Sequence, residues 1–570
     1  MKCTRLEKAV VLSLLLCGFN SYAGAEQITD SVTYDEDVVT VNGGDNLALD
    51  IYYKENNVVD IIFKEMILQV DEHAATSTAD IVNSKVNFNG DKLTIIGSDD
   101  YSGLYLNQAI VNSDIKDIEI TGANFRGMSM MNNSDFNAQD SNISIIVDRS
   151  NITDDYFKEI TGFSMLKDYD GQDNEIMASN NFSVNNLNIN VLTSENSPGF
   201  NSGMFVEKSK DAVINVSGNT KIDVSNGKYV RGIYSDGGTI SFKGKTQINT
   251  YGNENTIENT GMHIMDSNSR ESFFKAYDDV EIVVDGGKDG TGLYVIHNDN
   301  PEDNTHSIAQ FDKKLDVKVL NTDKGNGIYA AAEGIVQAND VNVEVTAPNG
   351  TGIYSNGYVY IDGNADIKAD RALYVEGEGK SIDVVKNFIS HSDDSLIEAR
   401  SGGTIQILGE GIVNYKGRII TGIIDPDSFT YFVMLNKDSY WEMTDDSNLS
   451  ALVIDNDASL DMRTDKDKFS LLQTDHLAGR NGHIYMDIDA SKNIENSDRI
   501  YVGEHYGTHY IHLNNVGSND DGASGTVLVS VKDEKGEFKY RIQKEIYIGI
   551  NTSLPVRMKA LQQAIILTGI

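Results

Sequence analysis

Cysteine is nearly missing from this chain of 570 residues: there are two, Cys3 and Cys17, both close to the N-terminus. That stretch reads as a secretion signal. Lys2, Arg5 and Lys8 form a basic front, and Ala9 to Phe19 is an apolar run too short to span a bilayer. Ala23-Gly24-Ala25 then offers small residues for cleavage. The expected signal is 1–25, with cleavage after Ala23 as the near alternative. Leu14-Leu15-Leu16-Cys17 is a poor lipoprotein site, because bulky Leu16 precedes the cysteine. The mature chain then has no cysteine, which excludes disulfide staples. Two explanations stay open: a core large enough to need none, or a chain that must stay free of cross-links while it threads a pore.

Proline is scarce, with five residues, and tryptophan occurs once, at Trp441. Few prolines suit a chain of many strands, because proline cannot donate to a sheet ladder. Basic residues are outnumbered 47 to 86, for a net charge of −39. Such acidity argues against nucleic acid and against anionic lipid as partners. No later segment is apolar enough to cross a membrane as a helix. Convincing helical periodicity is also missing from residues 93–422.

Glycine is abundant, with 50 residues, and it recurs in one short motif. Gly352-Ile353-Tyr354 has counterparts in Gly103-Leu104-Tyr105, Gly203-Met204-Phe205, Gly232-Ile233-Tyr234, Gly292-Leu293-Tyr294 and Gly327-Ile328-Tyr329. Gly261-Met262-His263 is a weaker copy, and Arg371-Ala372-Leu373-Tyr374 replaces the glycine. From Gly203 to Gly352 successive glycines lie 25 to 35 residues apart. That spacing marks a stack of similar units. Between copies, segments such as Leu315-Asp316-Val317-Lys318-Val319 alternate apolar and polar residues, so one face of each strand turns inward. The pattern predicts an all-β chain folded as a parallel β-helix, a solenoid with its Ile, Leu and Val stacked inside. The glycines are expected where the chain bends from one face to the next. The tyrosines are expected to stack in a column or to lie across the bend.

After Gly422 the text changes. Trp441-Glu442-Met443 leads to Ser447-Asn448-Leu449, then Leu477-Ala478-Gly479, Asp498-Arg499-Ile500 and Gly507-Thr508-His509-Tyr510-Ile511. In this order these elements resemble the autochaperone region of pertactin-like autotransporter passengers, and the upstream repeats look like the β-helical passengers of the same family. The resemblance implies a right-handed parallel β-helix whose Trp441 segment folds first. It also implies export through the protein's own outer-membrane β-barrel translocator and adhesion to host or sister-cell surfaces, with aggregation and biofilm as related roles. The expected parts are the signal 1–25, passenger repeats 26–425, the autochaperone region 426–550 and an aberrant tail 551–570. The tail matches neither the strands before it nor a linker, and no barrel follows. A truncated form is therefore expected, with a frameshift after about Gly549, and its product periplasmic. Sequencing the DNA past that codon tests this.

The chain offers no set of catalytic, cofactor-binding or metal-ligating residues, and an enzyme is not expected. Asp278-Asp279 and Asn321-Thr322-Asp323 resemble pieces of a polygalacturonase acid cluster, but they stand far apart and in the wrong order. Gly-Asp-Ser-Gly and Gly-x-Ser-x-Gly are absent. His505, His509 and His512 invite a metal reading. His505 and His509 would share a face only on a helix, and Gly507 argues for a turn, so ordinary strand packing is expected. Ser518-Asn519-Asp520-Asp521-Gly522 lacks the spaced ligands of a calcium loop. The rival from another class is a secreted carbohydrate-active β-helix enzyme.

Overall fold

In the computed structural model the described residues are 21–542, without 24–25, 45–46, 53–57, 71–76, 99–101, 124, 152–158, 167, 170–174, 177–178, 208–210, 267–270, 298–305, 423–426, 464–467, 490–495 and 518–527. All but three residues of the expected signal, the whole tail 551–570 and the Ser518–Gly522 turn lie outside them. Every named element among the described residues is a β-strand. They divide into two compact units, up to Lys324 and from Gly325.

In the first unit a turn has three faces, each formed by its own strand or by part of a longer one such as Asp135–Arg149, Asn181–Thr193 or Ser307–Leu320. The strands of the long sheet pair in parallel with their counterparts one turn later; Asp168–Tyr169 and Glu175–Ile176 form a separate antiparallel pair. Tyr229–Asp236 lies on Glu258–Met265, Gly238–Phe242 on Ser272–Ala276, and Thr246–Tyr251 on Val280–Asp285. This register is the predicted parallel solenoid. Backbone donors and acceptors find partners on the turns above and below, so a long sheet forms without hairpins. Inside, like stacks on like: Met204 pairs with Ile233, Ile233 with Met262 and Met262 with Leu293, all fully buried. Each such side chain contributes about 1.5–3 kcal/mol by leaving water.

The bend that the glycines mark falls within a strand. In Tyr229–Asp236 the in-out alternation breaks where Gly232 and Ile233 are both buried, and the register passes over Gly232. The glycine is there for space. A Cβ on Gly232 would stand 2.3 Å from Ile248 Cγ2, a side chain reaching in from another strand of the same turn. The same interlock joins Gly203 to Ile222 and Gly261 to Ile282, so the first residue of the motif is dictated by the third strand.

The second unit repeats the plan with shorter turns. Ile328, Ile353, Leu373, Ile397 and Ile419 form one inward column in parallel register. Farther along, Trp441 is fully buried and donates its indole N–H to the Gly417 carbonyl at 3.0 Å. Phe432 packs 5.2 Å from it, and Tyr415 6.1 Å. The Tyr415 hydroxyl, also buried, lies 2.7 Å from the Ser395 carbonyl and 2.6 Å from that of Arg418. Three long strands follow, Leu471–Ile488, Arg499–Asn515 and Val529–Ile542, stacked in parallel. Gly479, Gly507 and Gly536 share one position along them, and Gly507 adopts φ +94°, a conformation that β-branched and bulky residues avoid.

Candidate binding face

The residue that follows the inward Ile or Met of each motif points outward, and the parallel register places these residues above one another. They form a column, which settles where the motif aromatics lie. In the first unit Phe205 and Tyr234 stack at 5.0 Å between centroids, Tyr234 and His263 meet at 5.2 Å, and His263 and Tyr294 at 4.7 Å. The weak copy of the motif therefore fills its rung with an imidazole. A second, shorter column stands beside the first: Phe200 and Tyr229 stack at 4.4 Å. Arg231 lies between the two columns, its guanidinium carbon 5.2 Å from the Phe200 ring and 4.8 Å from that of Tyr234. It pairs with Glu258 at 3.3 Å.

The long column is uncharged at neutral pH. Burial, and then the nearby Asp236, push the Tyr234 hydroxyl up to about 12. Burial and the Arg231 charge push His263 down to about 3. All four residues remain half-buried.

The second unit has its own column. Tyr329 and Tyr354 are nearly parallel at 4.3 Å, and Tyr374 follows at 4.8 Å. The Tyr374 hydroxyl donates to Glu376 at 2.8 Å, and Arg371 lies 4.4 Å over its ring. On the next rung Glu398 takes the aromatic's place. This carboxylate is buried, with Arg371 at 3.4 Å and Arg400 bonded to it. Two cations thus offset the cost of burying one anion. Burial, and then the hydrogen bond to Glu376, push the Tyr374 hydroxyl up to about 12.

The residues singled out in the sequence fall as follows. Asp278 binds Lys313 at 2.8 Å on the surface, and Asn321 donates to Asp285 at 2.7 Å. Asp279 precedes the paired segment Val280–Asp285 and Leu315–Leu320, while Asn321 follows it. Six residues of strand separate them, roughly 20 Å, too far for two acids to flank one glycosidic bond.

His505 and His509 do meet, contrary to the expectation that only a helix would bring them together. The strand turns a corner at Gly507, and the two side chains point inward from either side of it, His505 Nε2 2.9 Å from His509 Nδ1. Both are fully buried, and His505 stacks on Phe538 at 3.9 Å. Burial pushes each down to about 4. His512 lies apart from them, stacked on Tyr485 at 4.4 Å with Nε2 2.9 Å from His483 Nδ1. Among the described residues no group of three or more His, Cys, Asp or Glu side chains is arranged to hold a metal ion.

Two polar clusters carry no sequence signal. Asp266 is buried and binds both His297 Nδ1, at 2.6 Å, and the Ser307 hydroxyl, at 3.0 Å. The order is wrong for a nucleophile, since the serine bonds the carboxylate and not the imidazole that would take its proton. Asp498 is also buried and accepts the Ser470 and Asp487 backbone N–H groups, each at 2.7 Å. Its neighbour in the Asp-x-Ile step gives no hint of that double contact.

No protein-family model and no curated protein matches this sequence. Among solved structures, the Haemophilus influenzae Hap adhesin matches over 92% of this chain and 59% of its own, at 11% identity and a TM-score of 0.27. The chain thus spans less than two thirds of that protein. The autotransporter UpaB from E. coli strain CFT073 matches over 90% of this chain and 94% of its own, at 14% identity and a TM-score of 0.18. Overlaps this low carry no weight of their own, and the solenoid rests on the parallel register described above.

Proposed function

We propose that this chain is the passenger of an autotransporter, exported by the signal 1–25, carried across the outer membrane by its own β-barrel translocator, and displayed at the cell surface for adhesion to host or sister cells. The observation that carries this reading is the repetition of outward aromatic residues over successive turns within each unit. A solenoid that repeats the same surface chemistry rung after rung presents many weak contacts in a row. Such contacts gain strength by multivalency without any single deep pocket. The ordered Trp-to-His motifs from Trp441 to Ile511 support the autotransporter assignment.

The experiment displays the mature chain on a non-aggregating Gram-negative host through a fused outer-membrane barrel. Settling, biofilm mass and attachment to cultured cells are then measured. A displayed protein that promotes none of the three would overturn the adhesive role. The enzymatic alternative predicts release of reducing ends from polysaccharide by the purified chain, and no such release is expected.

A further inference from the structure

In the second unit four successive strands carry outward residues in one column: Asn448 pairs with Gln473, Gln473 with Tyr501, and Tyr501 with Ser530. Two residues farther on, the register passes over Asp475, Gly503 and Lys532, and the strands bend. Column and bend line an open groove of about 600 Å³. Gly503 belongs to the lining, and a Cβ there would stand 2.5 Å from the Asp475 carbonyl oxygen, so the close approach of the two backbones calls for glycine.

The inner polar groups of the groove are already held. The Thr421 N–H donates to Asn448 Oδ1 at 3.1 Å, and the Asn448 amide donates back to the Thr421 carbonyl. The Ser450 hydroxyl accepts from the Thr430 N–H at 3.2 Å, and that of Thr474 donates to the His476 carbonyl at 2.9 Å. The outer groups are not held. Gln473 and Tyr501 are exposed and Ser530 is half-buried, and none of the three has a side-chain hydrogen bond to another described residue. A hydrogen-bonded inner wall thus faces a row of solvent-facing donors and acceptors with one open ring among them.

We propose that this groove binds a neutral oligosaccharide laid along the column. The Tyr501 ring packs against a sugar face, and Gln473 and Ser530 exchange hydrogen bonds with its hydroxyls. Amides and hydroxyls both donate and accept, as sugar hydroxyls do. Rungs ~4.8 Å apart are close to the length of one pyranose ring, so each rung meets about one sugar unit. Among the described lining residues the only formal charges are those of Asp475 and Lys532, which cancel, whereas the chain's net −39 repels acidic polysaccharide. The proposal rests on the adhesive reading for its use at the cell surface, but the binding itself is measurable on the purified protein.

The test presents the full mature chain to immobilised neutral glucans, galactans and mannans, with heparin and an extended polar peptide as further arms. Saturable binding to at least one neutral glycan is expected. Tyr501→Ala weakens it about tenfold, as for a lost stacking contact, while Tyr501→Phe stays within about threefold. Gln473→Ala weakens it roughly three- to tenfold. The Trp441 fluorescence melt of each variant matches the parent, which separates lost binding from lost fold. Binding to heparin or peptide alone, no binding at all, or binding indifferent to Tyr501→Ala would each overturn the proposal. If glycan binding fails while displaying cells still adhere, this proposal falls and the adhesive reading stands. Glycan binding without cell adhesion gives the converse.

Discussion

Gly232 shows why one residue of the motif tolerates so little change. Its missing side chain is filled by Ile248 Cγ2 at 2.3 Å, with the Gly261 carbonyl oxygen at 2.5 Å. Gly232→Ala is expected to cost about 1–3 kcal/mol through overpacking. Ile248→Ala costs about 2–5 kcal/mol through the cavity it leaves. Together they should cost less than the sum, because each relieves the other; urea melts of the two single variants and the double variant measure the coupling, and strict additivity would refute the interlock. The buried imidazoles set a second expectation at this scale. His505 and His509 are held near 4, below their ordinary 6.5, so the neutral forms favour the fold. Their contribution is full above pH 6.5 and is lost as pH falls towards 4, by at most ~1.4 kcal/mol per pH unit for each proton taken up. Asp498 has the opposite sign: burial raises it to about 7, so protonation between pH 7 and 4 favours the fold. The acid limb of the stability curve should therefore be shallower in His509→Gln than in the parent, and steeper in Asp498→Asn. Equal limbs in all three would refute both assignments.

Among the elements, the strand Tyr440–Met443 carries the lone tryptophan. The indole is buried against Tyr415 and Phe432 and hydrogen-bonded to Gly417. Trp441→Phe loses that bond and part of the packing, a cost of about 1–3 kcal/mol. If this segment folds first, as the resemblance implies, the variant also refolds more slowly while its unfolding rate changes less; stopped-flow refolding followed by circular dichroism checks it, and an unchanged refolding rate would rule out early folding of this segment. Much of the element plan was legible in the chain itself. Period-two alternation marked the strands, and the recurring Gly-Ile-Tyr marked the turn and its inward Ile. The reason for the glycine was hidden, because the atom that fills its space belongs to Ile248, sixteen residues away on another face. The His505–His509 contact was missed because a strand was taken to separate positions i and i+4, whereas a corner at Gly507 folds them together. Asp266 and Glu398 carried no signal, since an isolated acid looks the same whether it faces water or two bonding partners. Of the binding face, the aromatic column was foreseen as one of two arrangements. The groove at Tyr501 was not, because its residues come from five strands and the loop after the first, spread from Thr421 to Lys532.

For the whole molecule, charge governs how copies meet. A net charge of −39 makes every approach between two displayed chains repulsive at low ionic strength. Screening shortens that repulsion to about 10 Å at 0.1 M salt and about 3 Å at 1 M. If contact runs through the uncharged aromatic column of the first unit, settling of displaying cells should quicken as salt rises. Settling that slows with salt would point instead to attraction between opposite charges. The parallel register has a consequence for how such a protein changes length. Because Met262 takes over the place of Ile233, and His263 that of Tyr234, one rung can stand in for its neighbour. Cutting out residues 232–260 would join Arg231 to Gly261, seat Met262 on Met204 and His263 on Phe205, and leave Leu293 above as before. Neighbouring copies are thus interchangeable courses of masonry, and recombination between them lets a gene of this kind shorten or lengthen by one storey at a time without redesigning the wall.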